Sequence, residues 1–312
     1  MKKLFSILLT LSLILCAGGC GAEPAEPQSG MSIVTTVFPA YDFARQIAGE
    51  RAAVTLLLPP GAEAHSFEPT AKDMARIRSA DLFFRNGGES EAWAEKLLDS
   101  GESIRSLAML DCVEALEEEL AEGMQSSREE HEEEDGSEYD EHVWTSPKNA
   151  VLICEALCAE LCAIDPEGEC LYRENLRAYS EKLRTLDAAF RQTVDEGRCH
   201  TLIFADRFPV RYFVEEYDLT YCAAFPGCAE DTEPSARTVA FLIDRVREEK
   251  LPAVFHIEFS NEKMADMICE DTGCAKLLFH SYHNVSADEL RDGVGYLELM
   301  QNNLEALKEA LG

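Results

Sequence analysis

The spacing of apolar residues changes period several times along this 312-residue chain, and each change marks an element. Residues 32–37 and 53–58 are short apolar runs of strand length, the second closed by the Pro59-Pro60-Gly61 turn. Between them, residues 40–48 follow Phe38-Pro39 with helical spacing. Thr70 is placed to cap a helix running to Arg78, with Asp73 in a first turn where the helix dipole favours a carboxylate. Residues 81–85 predict a further strand ended by Gly87-Gly88, and residues 91–98 a helix. Pro147, preceded by Ser146 as a cap, opens a helix to Leu161. Leu176, Tyr179, Leu183, Leu186, Phe190 and Val194 then recur at three and four, predicting one amphipathic helix of about thirty residues from Asp165-Pro166 to Gly197. Such a helix is about 45 Å long, long enough to bridge two lobes. Strands at 201–205, 253–257 and 277–279 alternate with helices from Val210, at 238–249 and at 262–272, and a closing helix carries Leu297, Met300, Leu304, Leu307 and Leu311. The pattern predicts an α/β fold of two lobes, each a mainly parallel sheet flanked by helices.

The front of the chain is set apart by composition. Met1-Lys2-Lys3 is a short positive region, residues 4–15 are apolar but short for a bilayer span, and Ala17-Gly18-Gly19 precede Cys20. Small residues before a cysteine resemble a bacterial lipobox, which implies lipidation of Cys20 and an extracytoplasmic body held at the cell membrane. The expected organisation is a signal peptide at 1–20, a flexible tether at 21–31, an N-terminal lobe at 32–164, a linking helix at 165–198 and a C-terminal lobe at 199–312. No later segment reads as a membrane span.

A formal charge of −31 makes nucleic acid an unsuitable partner. Much of it lies at 114–141, where 14 Asp or Glu face a lone Arg128 and His131 sits in the middle. Charge this dense predicts a solvated loop, and His131 among carboxylates would bind a metal weakly and release it quickly. Ten cysteines remain after Cys16 and Cys20. Cys154, Cys158 and Cys162 share a helix face, while Cys222 with Cys228 and Cys269 with Cys274 are close enough in sequence to pair under oxidising conditions.

The histidines carry the candidate chemistry. His65 lies in the turn after the second strand, His142 closes the acidic stretch, and His280 and His283 follow a late apolar run. Imidazoles brought together from distant segments suit a borderline-soft divalent cation such as zinc. His256 and Glu258 fall on one face of a strand and could orient a ligand, as could Glu63 and Glu68 beside His65.

These segments resemble the metal-binding cluster of ABC-transporter substrate-binding proteins, the zinc/manganese lipoprotein family. The resemblance rests on Leu58-Pro59-Pro60-Gly61 through His65-Ser66-Phe67-Glu68-Pro69, on Asp140-Glu141-His142-Val143-Trp144 with Ser146-Pro147, and on Asn86-Gly87-Gly88 with Glu91-Ala92-Trp93. Tyr296-Leu297 with Met300, Asn303 and Leu304 completes it. It implies capture of zinc outside the cytoplasm by a monomeric protein and delivery to an ABC permease in the membrane, with manganese the alternative cargo. It implies His65 and His142 as ligands. The second lobe departs from the family pattern: Asp206, in Phe204-Ala205-Asp206-Arg207, is the candidate third ligand and His280 the fourth, with His283, Glu68 and Glu258 as alternatives. The chain lacks His-Glu-x-x-His and Gly-x-Ser-x-Gly, the signatures a secreted zinc hydrolase would be expected to show. A surface adhesin with structural metal is a further reading.

Overall fold

A computed structural model describes residues 30–101, 103–124, 139–229 and 234–312. Cys20 and His131 lie outside them. Met31–Gly312 form one compact unit. Its first sheet holds β1 (Met31–Thr35), β2 (Ala52–Leu56), β3 (Leu82–Arg85) and β4 (Ser106–Ala108), all parallel, in the order β2-β1-β3-β4. Its second holds β5 (Thr201–Phe208), β6 (Thr220–Pro226), β7 (Ala253–His256) and β8 (Ala275–Leu278), also parallel, in the order β6-β5-β7-β8. Each order reverses direction beside its first strand, and in open α/β sheets the crevice at that point, beyond the carboxyl ends of the strands, is where ligands sit.

Local chemistry explains several elements. α1 (Phe38–Ala48) begins with proline in its first turn. α2 (Ala71–Ser79) starts at a full capping box, in which Thr70 Oγ1 accepts from the Asp73 amide and Asp73 accepts from the Thr70 amide. After α3 (Ala92–Leu98), α4 (Pro147–Ile164) is capped by Ser146, whose hydroxyl accepts from the Asn149 amide. The long helix α5 (Glu169–Glu196) follows a short turn at Pro166–Gly168 and spans 28 residues, roughly 42 Å. It buries Tyr172, Tyr179, Leu183, Leu186, Phe190 and Val194 as a stripe.

The expected strand at 201–205 extends three residues further, through a register shift between Phe204 and Arg207. β4 and β6 were not legible as strands. β6 reads Thr-Tyr-Cys-Ala-Ala-Phe-Pro, rich in residues with weak strand preference, and it forms by pairing at the sheet edge. α6 (Arg211–Glu216), α7 (Ala236–Glu249), α8 (Lys263–Thr272), α9 (Ala287–Asp292) and α10 (Tyr296–Leu311) complete the chain. One apolar core runs through both sheets, joining Ile33, Phe43 and Phe84 to Phe204, Phe255 and Tyr296. The lobes are therefore packed on each other and on α5. No helix among the described residues is long and apolar enough to cross a membrane.

Candidate metal centre

His65 sits in a turn that the other lobe holds. Asn284 Nδ2 donates to the Pro59 and Ala62 carbonyls at 2.7 and 2.9 Å, and the Gly61 amide donates to the Val285 carbonyl at 2.9 Å. Gly61 has φ of 75°, a left-handed conformation in which glycine is unstrained. The turn thus presents the His65 ring to the cleft.

His142 is fully buried. Its backbone amide and its Nδ1 both contact Asp140 Oδ1 at 2.8 Å. That carboxylate fixes the tautomer with the proton on Nδ1 and aims the Nε2 lone pair into the site. Asp140 is in turn held by its neighbours: its amide donates to the Leu116 carbonyl, and the Tyr212 hydroxyl donates to its carbonyl, both at 2.8 Å. The segment is tied to the second lobe by Trp144, whose indole donates to the Ser281 carbonyl at 2.8 Å.

The second lobe brings His283 to these two rings. Ring centroids lie 4.8 Å apart for His65 and His283, 4.4 Å for His142 and His283, and 5.5 Å for His65 and His142. One ligand atom from each of the three falls within 4.8 Å of the others. The Nε2 atoms of His65 and His142 are buried with no hydrogen-bond partner, the state expected of nitrogens whose partner is a metal ion. His283 Nδ1 faces Ser281 Oγ at 3.4 Å, and that hydroxyl donates to Glu258 Oε1 at 2.5 Å. Glu258 also accepts from the Ser281 amide at 2.7 Å. It orients the loop that carries His283.

His280, the fourth ligand expected from the sequence, lies outside the three-histidine group. Its amide donates to Asn303 Oδ1 at 2.8 Å, its carbonyl accepts from Asn303 Nδ2, and its Nδ1 accepts from the Tyr282 amide at 3.0 Å. The ring stacks on Tyr282. Tyr282 has φ of 68°, and this left-handed residue turns the chain so that His283, three residues after His280, faces the cleft instead. Asp206 is also outside the three-histidine group. Its Oδ1 accepts from the Arg207 amide at 2.8 Å and its Oδ2 from the Ile257 amide at 3.3 Å. It lines a cavity of about 690 Å³ that also reaches Glu63, His65 and Arg207. Burial raises its carboxyl above the usual range, against hydrogen bonds that lower it. Glu68 is exposed, and His256 Nδ1 faces its own strand at the Ile257 carbonyl.

The electrostatics favour neutral imidazoles. Burial, then the nearby His142, holds His65 down to about 3. Burial and the two neighbouring imidazoles hold His283 well below its ordinary value. Glu63 is pushed up by burial, but the Arg207 guanidinium 3.0 Å away outweighs this and its carboxyl is lowered overall. Glu141, buried by the first lobe, accepts at Oε1 from the Ser90 amide at 2.8 Å and at Oε2 from the Ser90 hydroxyl. A Cβ on Gly88 would lie 2.5 Å from this carboxylate, so glycine is required for the approach. A second set of ligand atoms, from His65, Glu141 and Cys228, also falls within 4.8 Å. The ten described cysteines are free thiols; Cys222 lies in the second-lobe core, and the Cys269 and Cys274 sulfurs are 3.6 Å apart.

Sequence reasoning did not assign Asp140, Ser281 or Asn284 a role, and read Cys228 only as a partner for Cys222. Asp140 was open to discovery, since a carboxylate two residues before a histidine can reach its Nδ1. The others act through contacts between segments distant in sequence.

The model of the family described as zinc-uptake complex component A, periplasmic (ZnuA), matches residues 33–310. The high-affinity zinc uptake system protein ZnuA of Bacillus subtilis is 30% identical over 319 residues, covering 99% of this chain and 97% of that protein. The zinc-binding lipoprotein AdcA of Streptococcus pneumoniae is 28% identical over 309 residues; this chain spans 61% of its length. Among solved structures, the Zn(II)-bound ZnuA-like domain of that AdcA superimposes with a TM-score of 0.75 at 28% identity, covering 91% of this chain and 99% of the domain. The lipoprotein YcdH of Bacillus subtilis does so with a TM-score of 0.76 at 28% identity, covering 90% of this chain and all of that one. With two parallel sheets around a cleft, a long helix behind them and a family match over nearly all of Met31–Gly312, the chain belongs to the periplasmic component A family of zinc-uptake complexes.

Proposed function

We propose that this protein captures zinc outside the cytoplasm and delivers it to an ABC-type permease, and that His65, His142 and His283 hold the ion. The observation that carries this reading is the convergence of three imidazoles from three distant segments, two of them with buried Nε2 atoms that have no partner in the protein. Imidazole-rich sets suit zinc, whereas manganese favours carboxylate and carbonyl oxygen. The nearby carboxylates are engaged: Asp140 by His142, Glu141 by Ser90, Asp206 by backbone amides, Glu63 by Arg207, and Glu258 by Ser281. Relatives named for manganese and for iron, the MntA lipoprotein of Halalkalibacterium halodurans and YfeA of Yersinia pestis, are 26% and 30% identical.

The depressed histidines mean that, at neutral pH, metal enters a site that has no proton to lose from His65 or His283. Release then rests on loosening the cleft. The cavity beside His65 is the entry route, and the Glu63–Arg207 ion pair joins the two lobes across it. Asp206 serves this wall and is not a ligand. The names of the lipoprotein relatives support anchoring through Cys20. Nothing in this function calls for catalysis: the site binds, shields and hands over an ion.

Competitive titration of the metal-stripped, reduced chain with a chromogenic chelator tests the proposal. One tight, reversible zinc per chain, with manganese weaker, is expected. Absence of tight divalent binding would remove the transport reading, and metal that never exchanges would point to a structural ion in a surface adhesin.

A further inference from the structure

The three imidazoles leave one corner of a tetrahedral ion to another donor, and the turn after β6 brings a sulfur near His65. β6 ends at Pro226, and the Ala229 amide closes the turn onto the Pro226 carbonyl at 3.3 Å. Gly227 presses against the site: a Cβ there would lie 2.8 Å from the Phe208 carbonyl oxygen and 2.9 Å from His142 Cε1. Only the absence of a side chain lets the turn approach the imidazole this closely. The next residue is Cys228, half-buried, whose amide donates to Glu118 Oε1 at 3.3 Å.

Its sulfur belongs to a ligand-atom group with His65 and Glu141, all within 4.8 Å, while His65 is also a member of the three-histidine group. His65 is thus the shared corner of two donor sets. Donors around tetrahedral zinc stand roughly 3.5 Å apart, so an ion held by the three imidazoles must draw Cys228 inward from its place within 4.8 Å of His65. Of the two donors in the second set, Glu141 already has both oxygens on Ser90. The buried, unpartnered Nε2 atoms of His65 and His142 are the independent sign that an ion is received among the imidazoles, and His65 is the one that Cys228 approaches.

We propose that the Cys228 thiolate is a cargo ligand, completing a three-nitrogen, one-sulfur site with His65, His142 and His283. The proposal rests on the metal-capture reading above. The step is Cys–SH plus M(II) giving a thiolate–metal bond, with the thiol proton released to buffer. A sulfur donor shifts the preference of the centre toward thiophilic ions, zinc and cobalt(II), and away from manganese(II).

Cobalt(II) is the probe. The full chain, reduced and metal-stripped, is loaded with cobalt(II), and the near-ultraviolet spectrum is read for a sulfur-to-cobalt charge-transfer band. The band is expected in the wild type and in Cys222→Ser, whose sulfur packs in the second-lobe core, and is lost in Cys228→Ala. Zinc affinity should fall about 100-fold in Cys228→Ala, while manganese affinity changes by less than about threefold. Wild-type Cys228, followed by peptide mass after alkylation, should be protected by zinc, a result that stands even where Cys228→Ala does not fold. Tight cobalt binding without the band, or zinc-independent alkylation of Cys228, overturns the proposal while leaving metal capture intact. A wild type that binds no divalent ion overturns both.

Discussion

Replacing His283 or His280 by alanine separates the two late histidines. In a three-nitrogen centre each imidazole carries a comparable share of the binding energy. Structural zinc sites bind with about 10–16 kcal/mol over four donors, so one donor is worth roughly 2.5–4 kcal/mol. At about 1.4 kcal/mol per tenfold, His283→Ala should weaken zinc roughly 10²- to 10³-fold. His280→Ala removes a different kind of contact. It deletes the acceptor for the Tyr282 amide at 3.0 Å and the stacked ring, but leaves the two backbone bonds to Asn303. That should cost about 1–3 kcal/mol of fold stability, with zinc affinity of the folded protein nearly unchanged. The assay is chelator competition on the metal-stripped chain, with thermal melts of the same samples. Equal loss of affinity in both variants would refute the placement of the loop, and unchanged affinity in His283→Ala would refute the three-imidazole centre.

Other expectations follow from the same geometry. Asp140→Asn leaves His142 without the carboxylate that fixes its tautomer, and zinc affinity should drop about 10- to 100-fold by the same competition assay; no change would mean Asp140 does not orient the ring. Asn284→Ala deletes two bonds to the His65 turn and should destabilise the metal-free protein by about 1–3 kcal/mol in denaturant unfolding, whereas an unaltered midpoint would show that the turn is held by other contacts. His65 has a folded value near 3 against an ordinary 6.5, so between those values the unfolded chain binds a proton that the folded chain does not. The metal-free protein should therefore lose stability as pH falls through this window, more steeply than His65→Gln, and parallel slopes would contradict the depressed value. Zinc at about 1,000 times its Kd should stabilise the fold by about 4 kcal/mol, read as a rise in melting temperature that shrinks to the equivalent of about 0.4–1.4 kcal/mol in His283→Ala at the same zinc concentration.

What was legible beforehand was whatever a short stretch of chain specifies for itself. The Thr70 cap with Asp73 in the first turn, the Ser146 cap with Pro147, and the three-and-four spacing along α5 are local, and the folded chain keeps them. The family motifs around His65 and His142 are local too, which is why both histidines were open to recognition. β6 was missed because alanine and cysteine carry little strand preference, and the partner that makes them a strand, β5, enters only in the sheet.

The amino-acid sequence by itself determined the alternation of strands and helices, the long helix, the family resemblance and the candidate pair His65 and His142. Only the tertiary structure brought a third imidazole, His283, to them. His280 and His283 are three residues apart and chemically equal, and the choice falls to the left-handed Tyr282 and to Asn303 on α10, which takes both backbone groups of His280. Asp206 had the right chemistry for a ligand, yet the backbone amides of Arg207 and Ile257 hold its carboxylate in the cavity wall. The local signal at Cys228 was its closeness to Cys222, which says nothing of an imidazole. The proposed place of Cys228 depends on Gly227, whose lack of a side chain lets one edge of the second sheet meet an imidazole from the first lobe. A metal centre is a coincidence of several chain segments in space, and packing between segments is the term that no local pattern encodes.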